Sequence, residues 1–466
     1  MPGRRFTDKA NNIFRVQTAE DITQDVLISF VERFQSEQKP RLEQLMDYYM
    51  NNTKINDREP RDSTRADNRL SHNFARYIST LIQGYILGKP ITYNHENEPM
   101  LEQINDFNDL NDEQSHNALM ELNLSIYGRA FEFVYLDKDS NEKIAVLDPR
   151  ETFLIYDTTV EQKPIAGVRV YSIQLTEDKI KTYVELYTSD KVIRYETEKE
   201  VTDIAQTDEN PHYFDGVPVI EYLNNDQRVG DFENSMDQID AYDKSQSDTA
   251  NEQEDFADAY LVLQGQPNTE KDDVDAMKEA RVIVLDEATT EGAKPSAYYL
   301  VKQYDVAGVE AYKNRLVDDI HKLSFTPDLS DEKFSGNSSG EAMKYKLFLL
   351  DQLRATKERL FKKGIMQRLR LLSNVWGIKN KENGIEDTEI TFTPNLPANV
   401  KELTEIAKGL EGIISKQTQL SILPMVEDIQ AEIDRLDEEE KENVEKFGQQ
   451  EFNQGQQNGG LNGDKV

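Results

Sequence analysis

Cysteine is absent from the 466 residues, which excludes disulfides, thiolate metal centres and a cysteine nucleophile. Histidine is scarce. His72, His95, His116, His212 and His321 stand far apart with no paired spacing, so neither a zinc site nor a histidine-based nucleophile system is expected. Positive charge is also short: Lys and Arg number 54 against 88 Asp and Glu, a formal charge of −34. A protein that grips phosphates needs a basic footprint, which this balance denies, and the same deficit argues against an anionic membrane surface. No apolar run approaches the ~18 residues that cross a bilayer. The opening MPGRRFTDKANN has charge but no apolar stretch behind it, so no secretory signal is expected.

What is present is length and polarity. At about 150 residues per domain the chain holds roughly three domain-sized units, and its mean hydropathy of −0.72 points to long exposed helices or to acidity hidden in an assembly. The N-terminal third reads as helices. Ile22, Val26, Phe30 and Phe34 recur every four residues. Pro40 interrupts, and Leu42, Leu45, Met46 and Tyr49 begin a second helix. The polar span 51–69 reads as an exposed loop. Leu70, Phe74, Ile78, Leu81, Ile82 and Tyr85 share the face of a third helix that stops at Gly88-Lys89-Pro90. Residues 101–126 are helical, with a turn near Asn111.

The texture changes at Gly128. Strands are predicted at 131–136, 144–147, 153–156, 168–173, 183–187 and 192–195, a β-rich module that closes at Gly216 to Tyr222. Residues 231–258 form a helix with ten acids and one base, too polar to be a core helix. Strands at 260–263 and 281–285 come next, then a helix at 306–323 and a polar loop at 326–339. Residues 340–376 read as one long helix, with Ser338 and Glu341 as its capping box. It reverses the charge trend, with nine bases against three acids. A strand at 389–392 and helices at 399–415 and 426–447 precede a Gln/Asn/Gly-rich tail expected to be disordered.

Catalytic patterns are near-misses. Gly84-x-x-x-Gly88-Lys89 is one residue short of a phosphate loop and has Pro90 in place of Ser or Thr, so a helix stop is the better reading. Gly336-Asn337-Ser338-Ser339-Gly340 fits G-x-S-x-G but lacks a core strand feeding it. Asp137, Asp139, Asn141, Ile144 and Asp148 echo a calcium loop, but Glu142 stands where glycine is needed, Asp148 stands where Glu is needed, and strands flank the site, favouring a hairpin turn. No catalytic residue, metal ligand or cofactor site is predicted.

A different set of stretches carries a resemblance. They are Asn73-Phe74-Ala75-Arg76-Tyr77-Ile78 with Leu87-Gly88-Lys89-Pro90-Ile91; Tyr127-Gly128-Arg129-Ala130-Phe131-Glu132; Leu147-Asp148-Pro149 with Tyr156-Asp157; Gly216-Val217-Pro218-Val219-Ile220-Glu221 with Asn224-Asn225; Ile239-Asp240-Ala241-Tyr242-Asp243 with Ser245; Ser339-Gly340-Glu341-Ala342; and Asn395-Leu396-Pro397 with Ile414-Ser415-x-x-Thr418. In this order they resemble the portal proteins, or head-to-tail connectors, of tailed double-stranded-DNA phages, in the siphophage type from Gram-positive hosts. Glu341 departs from the pattern, where a small or apolar residue is expected.

The resemblance implies an α+β, mostly α portal fold with wing, stem, clip and crown, forming a ring with an axial channel. Carried over, 1–20 is an N-terminal arm, 21–225 the wing, 226–259 a stem helix, 260–304 the clip, 305–324 a second stem helix, 325–339 the tunnel loop, 340–397 the long wing helix and its strand, 398–447 the crown and 448–466 the tail. It further implies a homo-oligomeric ring of twelve at a capsid vertex, assembled in the host cytoplasm, through which DNA is packaged and ejected. The implied partners are other copies of the chain, double-stranded DNA, the terminase, a head–tail adaptor, and the major capsid and scaffold proteins, with no membrane, no cofactor and no enzymatic activity. Lys333, Phe334, Ser335 and Asn337 are the candidates for DNA contact. An acidic channel suits this reading, because DNA that is repelled can slide whereas sticky phosphate contacts would brake it. The basic helix either pairs with acidic neighbours across subunits, the preferred reading, or lines the channel. Another phage structural protein (scaffold or head–tail adaptor) and a hydrolase built on Gly336–Gly340 or on a carboxylate pair remain as alternatives.

Overall fold

A computed structural model of the chain describes residues 11–62, 65–176, 179–198, 201–256, 260–264, 270–272, 275, 296–300, 305–329, 345, 347–377, 384–395, 400–423, 426, 429 and 432–436. Two compact units emerge, one from Met1–Leu329 with Lys346–Asn395, the other from Ser330–Tyr345 with Leu396–Val466.

The first unit opens with a two-residue strand β1 (Phe14–Arg15) and helix α1 (Gln24–Arg33), whose N-cap Thr23 accepts from the Val26 amide. The predicted break at Pro40 is not one. A single π turn, Phe34–Gln38, carries the chain into α2 (Lys39–Tyr49), with Pro40 in the first turn, where its missing N–H costs nothing. Helix α3 (Phe74–Leu87) is capped by Asn73 and buries Ile78, Ile82 and Ile86. Strand β2 (Thr92–Asn94) leads to α4 (Glu98–Leu110) and α5 (Glu113–Tyr127), separated at Asn111 as the turn signal predicts. Gly128 ends α5 at φ +79°. A Cβ there would lie 2.2 Å from the Arg228 carbonyl oxygen, so the left-handed turn and the close backbone both demand glycine.

The β-rich stretch divides into two sheets. Strands β3 (Arg129–Leu136), β4 (Glu142–Leu147) and β10 (Val219–Leu223) form an antiparallel sheet with β3 in the middle. The larger sheet is a meander of β5 (Thr152–Tyr156), β6 (Pro164–Thr176), β7 (Lys179–Tyr187), β8 (Lys191–Thr197) and β9 (Ala205–Pro211), with β1 added parallel to β5. The sequence did not announce β9. Every residue of AQTDENP is exposed, and no apolar alternation marks it. Phe131, Leu147, Leu154, Tyr187 and Val219 form the core between the sheets. Phe14 and Phe34 seat the N-terminal helices on Phe153, with ring centroids 4.6 and 4.9 Å away.

Helix α6 (Met236–Phe256) starts five residues later than predicted, after an irregular turn at 224–235. Strand β11 (Tyr260–Gln264) pairs with β12 (Ser296–Leu300); the predicted strand 281–285 lies outside the described residues. Helix α7 (Val306–Leu323) returns along α6, its C-terminal His321 meeting Phe74, whose ring also touches Tyr242 of α6. Helix α8 (Phe348–Val375) crosses β10 so closely that a Cβ on Gly364 would sit 2.3 Å from the Tyr222 ring. Strand β13 (Glu389–Thr391) pairs with β2. Asn395 donates its amide to the Tyr85 carbonyl and lies against Gly88, so two of the family-like stretches meet there.

In the second unit, α9 (Val400–Gly409) is shorter than the helix predicted over 399–415, and α10 (Lys416–Ser421) follows where no helix was predicted. Gly412, at φ +77°, breaks the run. Ser415 caps α10, and Gln419 donates to the Ala407 carbonyl at 2.7 Å. Residues 432–436 are helical, and the tail from 437 lies outside the described residues. The fold is mixed α and β.

Candidate functional site

Lys333, Phe334, Ser335 and Asn337, the predicted channel residues, lie outside the described residues, as do the G-x-S-x-G stretch and the Ser338–Glu341 cap. The approach to them is described, and it is rigidly held. Helix α7 ends with the Ser324 hydroxyl donating to the Ile320 carbonyl at 2.8 Å. Phe325 turns the chain at φ +58°. Tyr77 of α3 then pins the segment beyond the turn, donating its hydroxyl to the Pro327 carbonyl at 3.1 Å and accepting from the Leu329 amide at 3.0 Å. The His321 ring packs edge-on to Tyr77 and Phe74, and burial pushes its pKa down. A chain leaving at Leu329 thus departs from a fixed point.

Helix α6 was expected to be too polar for a core helix, suited to lining a wet channel or packing in a ring. Instead its polar residues are buried in a stripe. Ile239, Asp243, Ser247 and Asn251 recur every four residues, and all four are inaccessible or nearly so. Their partner is the span 51–72, of which 51–69 was predicted to be an exposed loop and Leu70 the start of a helix that begins only at Phe74. The amides of Asn68, Leu70 and His72 donate in turn to Asn251 Oδ1 at 2.6 Å, Ser247 Oγ at 2.9 Å and Asp243 Oδ1 at 2.9 Å. The match is geometric. Two residues of extended chain advance about 6.6 Å, and four residues of helix advance about 6 Å, so alternate amides meet every fourth side chain. Thr53 adds a 2.6 Å bond to Asp243, Lys54 pairs with Asp240 at 2.9 Å, and Arg58 with Asp248 at 2.8 Å. The acids of α6 on this side therefore anchor a strap, which satisfies backbone groups that burial would otherwise leave unpaired.

The bases of α8 were expected to find acids on neighbouring subunits. Four of them find acids within their own chain. Arg368, fully buried, holds Glu132 through Nε and Nη2 at 3.0 and 2.6 Å and Glu113 through Nη1 at 3.1 Å, with Asn117 Oδ1 at 2.8 Å. Burial alone would push the Glu132 carboxyl up; Arg368 and the His116 hydrogen bond outweigh it and hold it at about 2. Lys357 sits 2.6 Å from both Glu121 and Asp231. Burial would lower its pKa, but the two carboxylates keep it raised. Glu121 is pushed up to about 7 by burial, against the pull of Lys357. Arg354 pairs with Asp351 and Glu358, and Arg370 with Glu386.

A third charge cluster ties the turn at 224–235 to the sheets. Arg228 grips Glu221 at 2.9 and 3.1 Å. Arg41 grips Glu233 at 2.9 and 2.5 Å. Arg129 lies 3.6 Å from Glu221. Burial raises the Glu221 carboxyl, and Arg228 and Arg129 more than reverse that, leaving it at about 2. Arg129 and Glu221 lie in the family-like stretches, whereas no sequence signal singled out Arg41, Arg228 or Glu233, and nothing in periodicity marked any of the five as buried.

These clusters are ion-pair and hydrogen-bond networks within the chain. Among the described residues no three His, Asp or Glu side chains are placed to hold a metal ion. Asp137 Oδ1 instead accepts the amides of Asp139 and Asn141 at 2.8 and 2.9 Å, a hairpin turn as predicted. His72 binds Asp243, His116 binds Glu132, and His95 and His212 bind backbone carbonyls. No helix among the described residues is long and apolar enough to cross a membrane.

Comparison with known proteins adds the context. Residues 28–446 match the family model described as phage portal protein, SPP1 Gp6-like. The chain is similar to the portal protein of Bacillus phage SPP1, 24% identical over 403 residues, covering 83% of this chain and 79% of the relative. It is also similar to the portal protein of Clostridium phage phiCD119, 25% identical over 409 residues, covering 83% and 88%. Among solved structures it is similar to a chain from the neck of an empty GTA particle computed with C6 symmetry, at a TM-score of 0.45 and 11% identity, over 82% of this chain and 93% of that one.

Proposed function

We propose that this chain, which belongs to the SPP1 Gp6-like family of phage portal proteins, is the repeating subunit of a ring whose axial channel passes double-stranded DNA into and out of a capsid. Membership rests on a match across about nine-tenths of the sequence. As a phage portal protein it is a virion component. The finer reading is ours. The ring sits at a capsid vertex, numbers twelve, and docks the terminase during packaging and a head–tail adaptor afterwards. The wing corresponds to 21–225 with 340–397, the stem to 226–259 and 305–324, the clip to 260–304, the tunnel loop to 325–339 and the crown to 398–447.

One observation carries this assignment furthest. Helices α6 and α7 run antiparallel, with a two-stranded sheet between their far ends, and α7 delivers the chain at Leu329 from an anchor on Tyr77. That is the arrangement a stem, clip and loop require, since a loop that meets moving DNA needs a foundation that does not move. Lys333, Phe334, Ser335 and Asn337 are then the residues offered to the duplex.

Deleting 330–337, which keeps the Leu329 anchor, tests the loop. Rings form as in the parent, while DNA packaging or retention falls. Heads that fill and hold DNA normally would refute the role. Axial images of the purified full chain test the ring itself: a closed particle with a hole wide enough for a duplex is expected, and compact monomers at high concentration would overturn it.

A further inference from the structure

Two helices of the first unit carry stripes of single-sign charge that the described residues leave unneutralised. On α4, Glu98, Glu102, Asp106 and Asp109 recur at spacings of four, four and three, so they share one face. All four are exposed. The stretch 96–112 holds six acids and no base. The opposite face of α4 is committed to the core through Met100, Ile104 and Phe107, and Phe107 meets Trp376 edge-on at 6.4 Å. The acidic stripe therefore faces away from its own chain.

On α8 the outward ridge runs Gln352, Ala355, Arg359, Lys363 and Arg370, all exposed. Asp351 and Glu358 are engaged with Arg354, and Arg370 with Glu386. That leaves Arg359 and Lys363, with half-buried Lys362 beside them, making no ion pair among the described residues. The unpaired bases 359–363 cover four helical steps, about 6 Å, and fit within the acidic stripe 98–109, which covers eleven, about 16 Å.

We propose that in the ring the basic ridge of α8 on one copy seats on the acidic stripe of α4 on the next. This rests on the ring reading above. The occupant is a second copy because the chain carries both complements. Identical subunits of charge −34 repel one another, and a contact that brings opposite signs together offsets that repulsion. The two stripes differ, so the contact is heterologous, as a closed ring requires. Its main contribution is to register and encounter, with apolar neighbours supplying most of the affinity. Duplex DNA is the poorer occupant, since three bases make a small footprint on so acidic a protein.

Charge reversal on the full chain tests it, with particle mass measured at fixed protein concentration and circular dichroism checking the fold. The parent assembles, and E102K/D106K or R359E/K363E alone lowers the assembled fraction by about tenfold or more. Mixing the two variants restores rings, because each chain then finds its complement on the other, and the four substitutions combined in one chain also restore them. If the parent assembles and the single reversals assemble equally well, this contact is wrong while the ring reading stands. A failure of both rescues would mean damage rather than pairing and also overturns it. Loss of duplex-DNA binding in R359E/K363E with assembly unchanged would transfer the ridge to DNA. A parent that never assembles removes the ring reading and this contact together.

Discussion

Arg368 and Glu132 are 236 residues apart in the chain and meet in three hydrogen bonds, both side chains shut off from solvent. Glu132 lies on β3, the middle strand of its sheet, and the Tyr222 hydroxyl on β10 donates to the same carboxylate at 3.0 Å. One buried ion pair thus joins α8 to both β3 and β10. Removing one partner leaves the other as an unpaired buried charge, which costs about 3–5 kcal/mol. Arg368→Met should lower the apparent melting temperature sharply, and adding Glu132→Gln should recover part of the loss. A second substitution that deepens the loss additively would show that the two side chains do not act as a pair.

The same carboxylates set an acid limit. Glu132 and Glu221 titrate near the ordinary 4.5 when unfolded and at about 2 when folded. Between those values the unfolded chain binds more protons, so stability rises with pH across the window and is lost as pH falls through it, by roughly 3 kcal/mol per group. Urea midpoints measured from pH 5 down to pH 2 should fall steadily. Glu132→Gln should remove part of that slope.

Glu121 acts with the opposite sign. Its folded value of about 7 lies above the unfolded 4.5, so the folded chain binds the extra proton, and this group's contribution weakens as pH rises from 4.5 to 7. Glu121→Gln should flatten the stability profile over that interval. A profile unchanged by the substitution would place the Glu121 proton elsewhere.

Asp243 accepts from the Thr53 hydroxyl, the His72 amide and the His72 ring. Asp243→Ala removes three bonds, each contributing about 1 kcal/mol, and should release the strap. Limited proteolysis should then cut within 51–72 at least about tenfold faster than in the parent. Ser247→Ala, which loses one acceptor, should give a smaller effect in the same direction.

Gly364 lies under the Tyr222 ring with no room for a methyl group. Gly364→Ala should destabilise by about 1–3 kcal/mol through overpacking, read as a lower denaturation midpoint. Gly377→Ala is the contrasting control at a site where a Cβ meets nothing within 4 Å; its left-handed φ of +70° confines the cost there to backbone strain.

Much of the chain was legible from spacing alone. The apolar recurrence over Phe74–Leu87, Val306–Leu323 and Phe348–Val375 dictates helices with one inward face, and the Asp137–Asn141 turn dictates the hairpin of β3 and β4, because both depend on neighbours a few residues away. The family-like order of short stretches was legible for the same reason: it is a property of the string. Tertiary structure alone decided which polar groups went inside. Asp243, Ser247 and Asn251 look like any solvated helical face until the strap at 68–72 lies across them, and Arg368 looks like a surface base until Glu113 and Glu132 surround it. A buried charge is stable only with its partner in place, and when that partner is some 180 to 250 residues away no local pattern can announce it.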